Sequence, residues 1–144
     1  MSMPSSILWE YLIETAGLFS NPANGTAWPL YDGNLPDGNA TPNVAAALFN
    51  TSGLLEGKDM HSNLDQRYGI QVALRCFSES DGYDKAKEVQ NSVKDIHNED
   101  ISIVSGETWR ILNVHQTSPI VKIGIDEKGR TLHTINFLLC MISI

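Results

Sequence analysis

The sequence predicts an α+β fold, in which an antiparallel or mixed β-sheet carries two helices packed on one face. The order of periodic segments along the chain, which runs helix, strands, helix, strands, is the first observation behind this prediction. The second is the length of 144 residues, which suits a single domain with its own core. The third is that no internal repeat or low-complexity block divides the chain. We therefore expect one domain over residues 1–144.

The N-terminal part is predicted to contain one helix and little other regular structure. Residues 4–16 show a helical apolar stripe, with proline in the first turn and Gly17 as a stop. Residues 18–43 are interrupted by glycine and proline, and only 27–31 resembles a strand. Pro29 would confine that strand to an edge or a bulge, because proline donates no backbone hydrogen bond.

The central part is predicted to contain two strands joined by a long loop. We expect strands at 44–50 and 69–77, with a polar loop at 51–67 between them. Loops of this length in small domains are usually functional or disordered. The irregular segments 18–43 and 51–67 would be costly to order in a lone domain, and contacts with a partner could offset that cost.

The strand at 69–77 alternates with a period of two, so its side chains point to two faces. One face carries Ile70, Val72, Leu74 and Cys76, and the other carries Gln71, Ala73, Arg75 and Phe77. The first face suits a core. The polar residues Gln71 and Arg75 on the second face need a partner surface, and no catalytic residue type accompanies them. The strand therefore predicts an interaction protein rather than an enzyme.

The C-terminal half is predicted to form a helix at 82–97 followed by four strands. Asp81 can cap this helix, and its buried stripe consists of Tyr83, Ala86, Val89, Val93 and Ile96. The strands are expected at 101–104, 108–115, 120–125 and 130–141, with a tight turn at Gly129 before the last one. Both faces of that last strand are apolar. It is therefore either central in the sheet or covered on its outer face by a neighbour.

Composition and charge disfavour several classes of protein. The formal net charge of −7 argues against a general nucleic-acid binder and against membrane-surface binding. Glu10 and Glu14 interrupt the N-terminal apolar stretch, which is not a signal peptide, and the apolar run at 135–144 is too short to span a bilayer as a helix. We expect a cytosolic protein without membrane segments, in which Cys76 and Cys140 are buried thiols rather than a disulfide.

No catalytic, cofactor-binding or metal-binding site is predicted. The four histidines are scattered, and only His115 and His133 could face each other across a sheet, which is a weaker reading than two unrelated histidines. Nucleophile elbows and phosphate-binding glycine motifs are absent. Aromatic residues that could stack on nucleic-acid bases are better explained by core packing, with Trp9 and Tyr83 at core-facing helix positions.

Three blocks of the chain together resemble the tail terminator (tail completion, or minor capsid) proteins of long-tailed bacteriophages. The blocks are WPLYDGNLPD at 28–37, RYGIQVALR and YDKAKEV within 67–89, and HQTSPIVKIGIDEKGRTLHTINFLL at 115–139. The last block contains a Gly-x-Asp-x-x-x-Arg element at 124–130. An amphipathic helix before the first block also matches, whereas residues 51–66 do not correspond to the pattern. The turn at 76–79 is longer than in that pattern.

The resemblance implies a virion protein of the tail and neck that assembles in the host cytoplasm. Its subunits would form a homo-oligomeric ring, typically a hexamer, that caps the tail tube and stops its growth. The tail tube protein and the head-closure or connector protein would be its partners, and DNA would only pass through the lumen. Ring closure requires two different complementary surfaces on each subunit.

Four residues are the candidate interface positions on this hypothesis: Gln71, Arg75, Asp126 and Arg130. The alternative for Arg75 is an ion pair within its own subunit. Two other functions also remain open. One is a head-closure or adaptor protein of the same neck, and the other is a small nucleic-acid-binding protein or an enzyme with an unrecognised site.

Overall fold

The computed structural model describes residues 3–25, 27–38, 41–58, 64–103 and 105–144, with the backbone alone for 54–58 and 64–66. These residues form two helices and seven strands. They are α1 (Pro4–Glu10, which continues as a π-helical turn over Tyr11–Thr15), β1 (Leu30–Asp32), β2 (Ala45–Lys58), β3 (Leu64–Cys76), α2 (Glu79–Val93), β4 (Glu99–Ser102), β5 (Thr108–Gln116), β6 (Val121–Ile125) and β7 (Thr131–Ser143).

All seven strands belong to one mixed sheet with the order β1-β2-β3-β7-β5-β4. β1 pairs with β2 in parallel, and the other pairs are antiparallel. β6 also pairs with β7, on the same edge as β5, because β5 and β6 follow one another along that edge. The predicted α+β fold is confirmed.

The core lies between this sheet and the two helices. Ile70, Val72 and Leu74 of β3 are fully buried there, as their alternation predicts. Leu8 of α1 and Val89 of α2 belong to the same apolar cluster. The two helices also contact each other, since the Tyr11 hydroxyl lies 3.3 Å from the carbonyl oxygen of Ser92. Both helices therefore cover one face of the sheet, as predicted.

Helix α2 begins earlier than the sequence suggests. Its N-cap is Ser78, whose Oγ accepts a hydrogen bond from the backbone N–H of Asp81 at 3.3 Å. Asp81 therefore lies in the first turn of the helix, and the predicted cap is wrong. The helix buries Gly82 instead of Tyr83, which is 44 % exposed. The predicted core position of Tyr83 is wrong because the glycine allows the helix to approach the sheet more closely.

The predicted loop at 51–67 is wrong over most of its length. β2 continues to Lys58, and β3 already begins at Leu64, so the two strands form a long antiparallel hairpin. Register shifts after Thr51 and after Leu55 accommodate the polar sequence, as β-bulges commonly do. Residues 59–63, which the prediction also included, lie outside the described residues.

The alternatives for the last strand are resolved in favour of a central position. β7 pairs with β3 on one edge and with β5 and β6 on the other. Cys140 of β7 is half-buried, whereas Cys76 of β3 is buried, and both are free thiols. The expectation of two buried thiols therefore holds for Cys76 alone. The register places the two cysteines on opposite faces of the sheet.

Candidate functional site

The turn between β6 and β7 carries two of the predicted interface residues, Asp126 and Arg130. Gly129 takes a positive φ of 79°, which closes the turn, and Asp126 stabilises it through its own side chain. Asp126 Oδ1 accepts hydrogen bonds from the backbone N–H groups of Lys128 at 3.0 Å and Arg130 at 2.9 Å. This local arrangement is an Asx-type turn, and it positions Arg130 immediately before β7.

Arg130 is buried between two carboxylates from distant parts of the chain. Its side chain is 1 % exposed. Its Nε donates to Asp126 Oδ2 at 2.8 Å, and its Nη2 donates to Asp37 Oδ1 at 2.6 Å. These hydrogen bonds lower the pKa of Asp126 and of Asp37 and raise the pKa of Arg130. The ion pair with Asp37 therefore attaches residues 33–38 to the end of the sheet.

Arg75 binds Pro42 and Asn43, the residues shortly before β2. Its Nη2 donates to the carbonyl oxygen of Pro42 at 2.6 Å, and its Nε donates to that of Asn43 at 3.3 Å. The side chain is buried, and burial is the main cause that lowers the pKa of Arg75, with the nearby charge of Arg130 adding to it. The partners of Arg75 are thus backbone carbonyls of its own chain rather than a carboxylate.

We call Asp37, Asn43, Arg75, Asp126 and Arg130 the arginine cluster. The structure brings three of the four predicted interface residues into it. Gln71 lies elsewhere, half-buried on β3 between Phe49 and Asn136 of the neighbouring strands. Both guanidinium groups point into the chain, so any contact made here would be formed by the exposed rim, Asp37 and Lys128, which pair at 3.2 Å. The interface assignment stays a prediction.

Asp37 and Asn43 were not selected from the sequence. Each lies in a segment of glycine, proline and asparagine, whose composition indicates turns but no partner. Asp37 is 93 positions from Arg130, and no local pattern encodes a contact over that separation. Asp37 is the last residue of the block at 28–37, but nothing in that block singles it out.

His133 is a buried titratable residue outside the arginine cluster. It is 2 % exposed on β7, where it faces α2 at Gly82, and its Nδ1 has no hydrogen-bond partner among the described residues. Burial is the main cause that lowers the pKa of His133. The charge of Lys122 lowers it further, and the charge of Glu79 acts in the opposite direction. Lys122 and Glu79 form an ion pair at 3.1 Å. His115 is exposed on β5 and pairs with Leu138, so the two histidines do not face each other.

The described residues contain no group of three or more His, Cys, Asp or Glu side chains that could hold a metal ion. Within the same part of the chain, neither helix has the length and apolar character needed to cross a membrane. The arginine cluster itself is internally neutralised, with its guanidinium groups bonded to carboxylates and carbonyls of the chain. The cluster therefore holds Asp37, Pro42 and Asn43 at the end of the sheet.

The most exposed apolar feature is strand β6. Val121, Ile123 and Ile125 are 42 %, 58 % and 62 % exposed. Among the described residues, β6 pairs only with β7, so its other edge presents free backbone donors and acceptors. Proteins usually protect such edges, because they are templates for pairing with another chain.

The outer part of the β2–β3 hairpin is a second feature of the sheet, because within the described residues it pairs with no third strand. Going from Cys76 back toward Leu64, Arg67 is the final residue of β3 that pairs with both β2 and β7. Beyond it, the described part of the chain shows β2 and β3 paired only with each other, at Leu55–Gln66 and Lys58–Leu64. A two-stranded ribbon is marginally stable by itself.

Comparison with known proteins adds no identification. No protein-family model matches this sequence, and a search of curated proteins finds no significant match.

Proposed function

We propose that this chain is a structural subunit that assembles with copies of itself into a ring at the end of a bacteriophage tail tube. The observation that carries the proposal is the open, apolar edge of β6. In a ring built from head-to-tail contacts, the neighbouring subunit covers one such edge of every subunit. In a monomer the edge stays uncovered.

Two further observations support assembly. The ribbon formed by the outer parts of β2 and β3 extends past its neighbours in the sheet, and contact with another protein would stabilise it. The arginine cluster fixes Asp37, Pro42 and Asn43 to the end of the sheet, so the surface at these residues is preformed and binding there has a small ordering cost.

The acidic character of the chain is compatible with DNA that passes through the lumen. With a net charge of −7, a ring of such subunits would repel the phosphate backbone rather than retain it. The sequence blocks that resemble tail terminator proteins favour this particular kind of ring. The tail tube protein and a connector on the head side are its proposed partners, and the proposed location is the virion neck.

The test is to measure the mass of the purified chain by light scattering and to image it by negative-stain microscopy, alone and with tail tubes. We expect rings, or a cap at one end of each tube. A chain that stays monomeric even with tubes present contradicts the proposal.

Binding measurements on the same purified chain, with portal or connector protein and with single-stranded DNA, separate the two competing functions. Binding to the portal or connector without binding to the tube would indicate a head-closure or adaptor protein. An affinity for single-stranded DNA in the micromolar range that weakens with salt would indicate a nucleic-acid-binding protein instead.

A further inference from the structure

A groove with aromatic walls and an acidic rim lies along α2. Its volume is about 360 Å³, and its apolar lining is formed by Trp28, Val44 and Phe77. Phe77 is 56 % exposed and Val44 is 36 % exposed. Three carboxylates of α2, from Asp81, Asp84 and Glu88, line the rim together with the ammonium group of Lys85. Lys85 pairs with Glu88 at 3.0 Å, so the rim keeps a net negative charge at Asp81 and Asp84. The groove therefore suits an apolar segment that carries positive charge.

The wall at Trp28 is held in a strained conformation. Its φ is +48°, in the left-handed region that a bulky residue rarely adopts. The indole packs edge-on against Phe19, with 6.4 Å between ring centroids, and Lys85 Nζ lies 5.7 Å from the centroid of the indole. Strain of this kind persists where the surrounding structure imposes it, and it clusters at binding sites.

The β6 edge has the complementary character. Lys122 lies between Val121 and Ile123 along the strand and is its one charged residue. Its side chain points to the face opposite theirs, toward Glu79 of α2. Its ammonium group pairs with Glu79 at 3.1 Å, and the Lys122 side chain is 34 % exposed. The edge therefore offers apolar side chains, free backbone groups and one positive charge.

The groove and the edge lie on opposite sides of α2. The helix packs on β3 and β7, the groove opens toward the start of β2 and the segment before β1, and β6 lies beyond β7. One copy can therefore present its edge to the groove of the next without using the same surface twice. This is the geometric requirement for a head-to-tail contact that repeats around a ring.

We propose that β6 of one copy docks in the α2 groove of a second copy, with Lys122 among the three carboxylates. This proposal rests on the ring function and assigns the two surfaces that close the ring. Val121 and Ile123 would bury their exposed area against Trp28 and Phe77, which supplies the hydrophobic part of the contact. The charges would fix the register and exclude the reversed pairing.

The experiment uses two variants whose charges are exchanged between the surfaces. Lys122→Glu makes the edge acidic. The double variant Asp81→Lys with Glu88→Lys changes the groove to three ammonium groups and one carboxylate. In the full-length chain, each variant alone should weaken self-association by roughly tenfold or more, measured by sedimentation, because like charges then meet at every contact.

An equimolar mixture of the two variants should regain the assembly. In alternating order, the acidic edge meets the basic groove, and the native edge of the groove variant meets the native groove of the edge variant. Ile123→Asp is a second edge variant that avoids the Lys122–Glu79 pair, and its exposed position makes a folding defect unexpected. Lys94→Glu and Asp95→Lys, exposed beyond the end of α2, are controls that should assemble as the native chain does.

The outcomes are distinct from those that test the ring function. If the native chain assembles and the edge and groove variants assemble equally well, this docking is wrong while the ring proposal stands. If the variants are monomeric but their mixture does not assemble, the two surfaces do not meet and the docking is also wrong. A native chain that is monomeric up to high concentration overturns the docking, and the ring function fails only if tail tubes do not change that result.

Discussion

Arg130 Nη2 lies 2.6 Å from Asp37 Oδ1, although 93 positions separate the two residues in the chain. This contact ties Asp37 to the turn that precedes the central strand of the sheet. It also changes how the predicted interface can be tested. Charge reversal at Arg75 or Arg130 would place a carboxylate in a buried site and unfold this end of the molecule, so substitutions at the exposed groove and edge are more informative.

The first prediction concerns the buried guanidinium of Arg130. Arg130→Met keeps much of the side-chain volume and removes the hydrogen bonds to Asp126 and Asp37. We expect the free energy of unfolding to fall by about 2 kcal/mol, the scale of hydrogen bonds to charged groups. Urea denaturation measures the change.

Arg110→Met is the matched control for that substitution. Arg110 also pairs with an aspartate, at 2.7 Å from Asp100, but its side chain is 40 % exposed. Solvent screens this pair, so its loss should alter stability much less. Equal effects of the two substitutions would contradict the structural role of the arginine cluster.

The second prediction concerns the close approach of α2 to β7. A Cβ on Gly82 would lie 2.6 Å from His133 Nδ1 and 3.1 Å from Cys76 Sγ. Gly82→Ala should therefore destabilise the protein by about 1–3 kcal/mol through overpacking. This loss exceeds the gain of roughly 1 kcal/mol in helix propensity.

Gly124→Ala provides the comparison, because nothing lies within 4 Å of a Cβ at that position. Its melting temperature should stay near that of the native chain. If Gly82→Ala instead raised the melting temperature, helix propensity would dominate and the described contact with His133 would be incorrect.

The third prediction is a dependence of stability on pH that originates at His133. Its pKa is lower in the folded chain than the usual value of 6.5, so the unfolded chain binds the proton more tightly. The stability of the fold is therefore greatest above that value and declines as the pH falls through it. The groups that face the ring are Glu79 and Lys122, and the ion pair between them keeps the site close to neutral.

The measurement compares melting temperatures at about pH 7.5 and about pH 5.5, a window in which histidine is the main titrating side chain. His133→Gln should reduce the difference between the two temperatures. His115→Gln, at an exposed position on β5, should leave that difference unchanged. A native chain that is equally stable at both pH values would refute the prediction.

The fourth prediction concerns the start of α2. Ser78→Ala removes the side-chain cap and should lower the free energy of unfolding by about 1 kcal/mol. Asp81→Ala should have a smaller effect, because Asp81 contributes only a favourable charge in the first turn. The reverse ranking in chemical denaturation would restore Asp81 as the cap.

The elements that the sequence predicts correctly are those whose signal is local. The period of two in β3 identifies the buried positions Ile70 and Leu74, and Gly129 marks the turn before β7. The errors arise where an interaction with a distant segment decides the outcome. The polar residues after Thr51 resemble a loop, but pairing between β2 and β3 satisfies their backbone groups and makes them strands.

The sequence by itself determined the α+β class, the single domain and the order of most helices and strands, because periodicity and turn residues act between near neighbours. Only the tertiary structure decided where the predicted interface residues lie. Arg75 and Arg130 look like exposed polar residues when read along the chain, but the fold buries them and bonds them to Pro42, Asn43 and Asp37. The openness of β6 was decided in the same way, since the register of seven strands determines which edge lacks a partner.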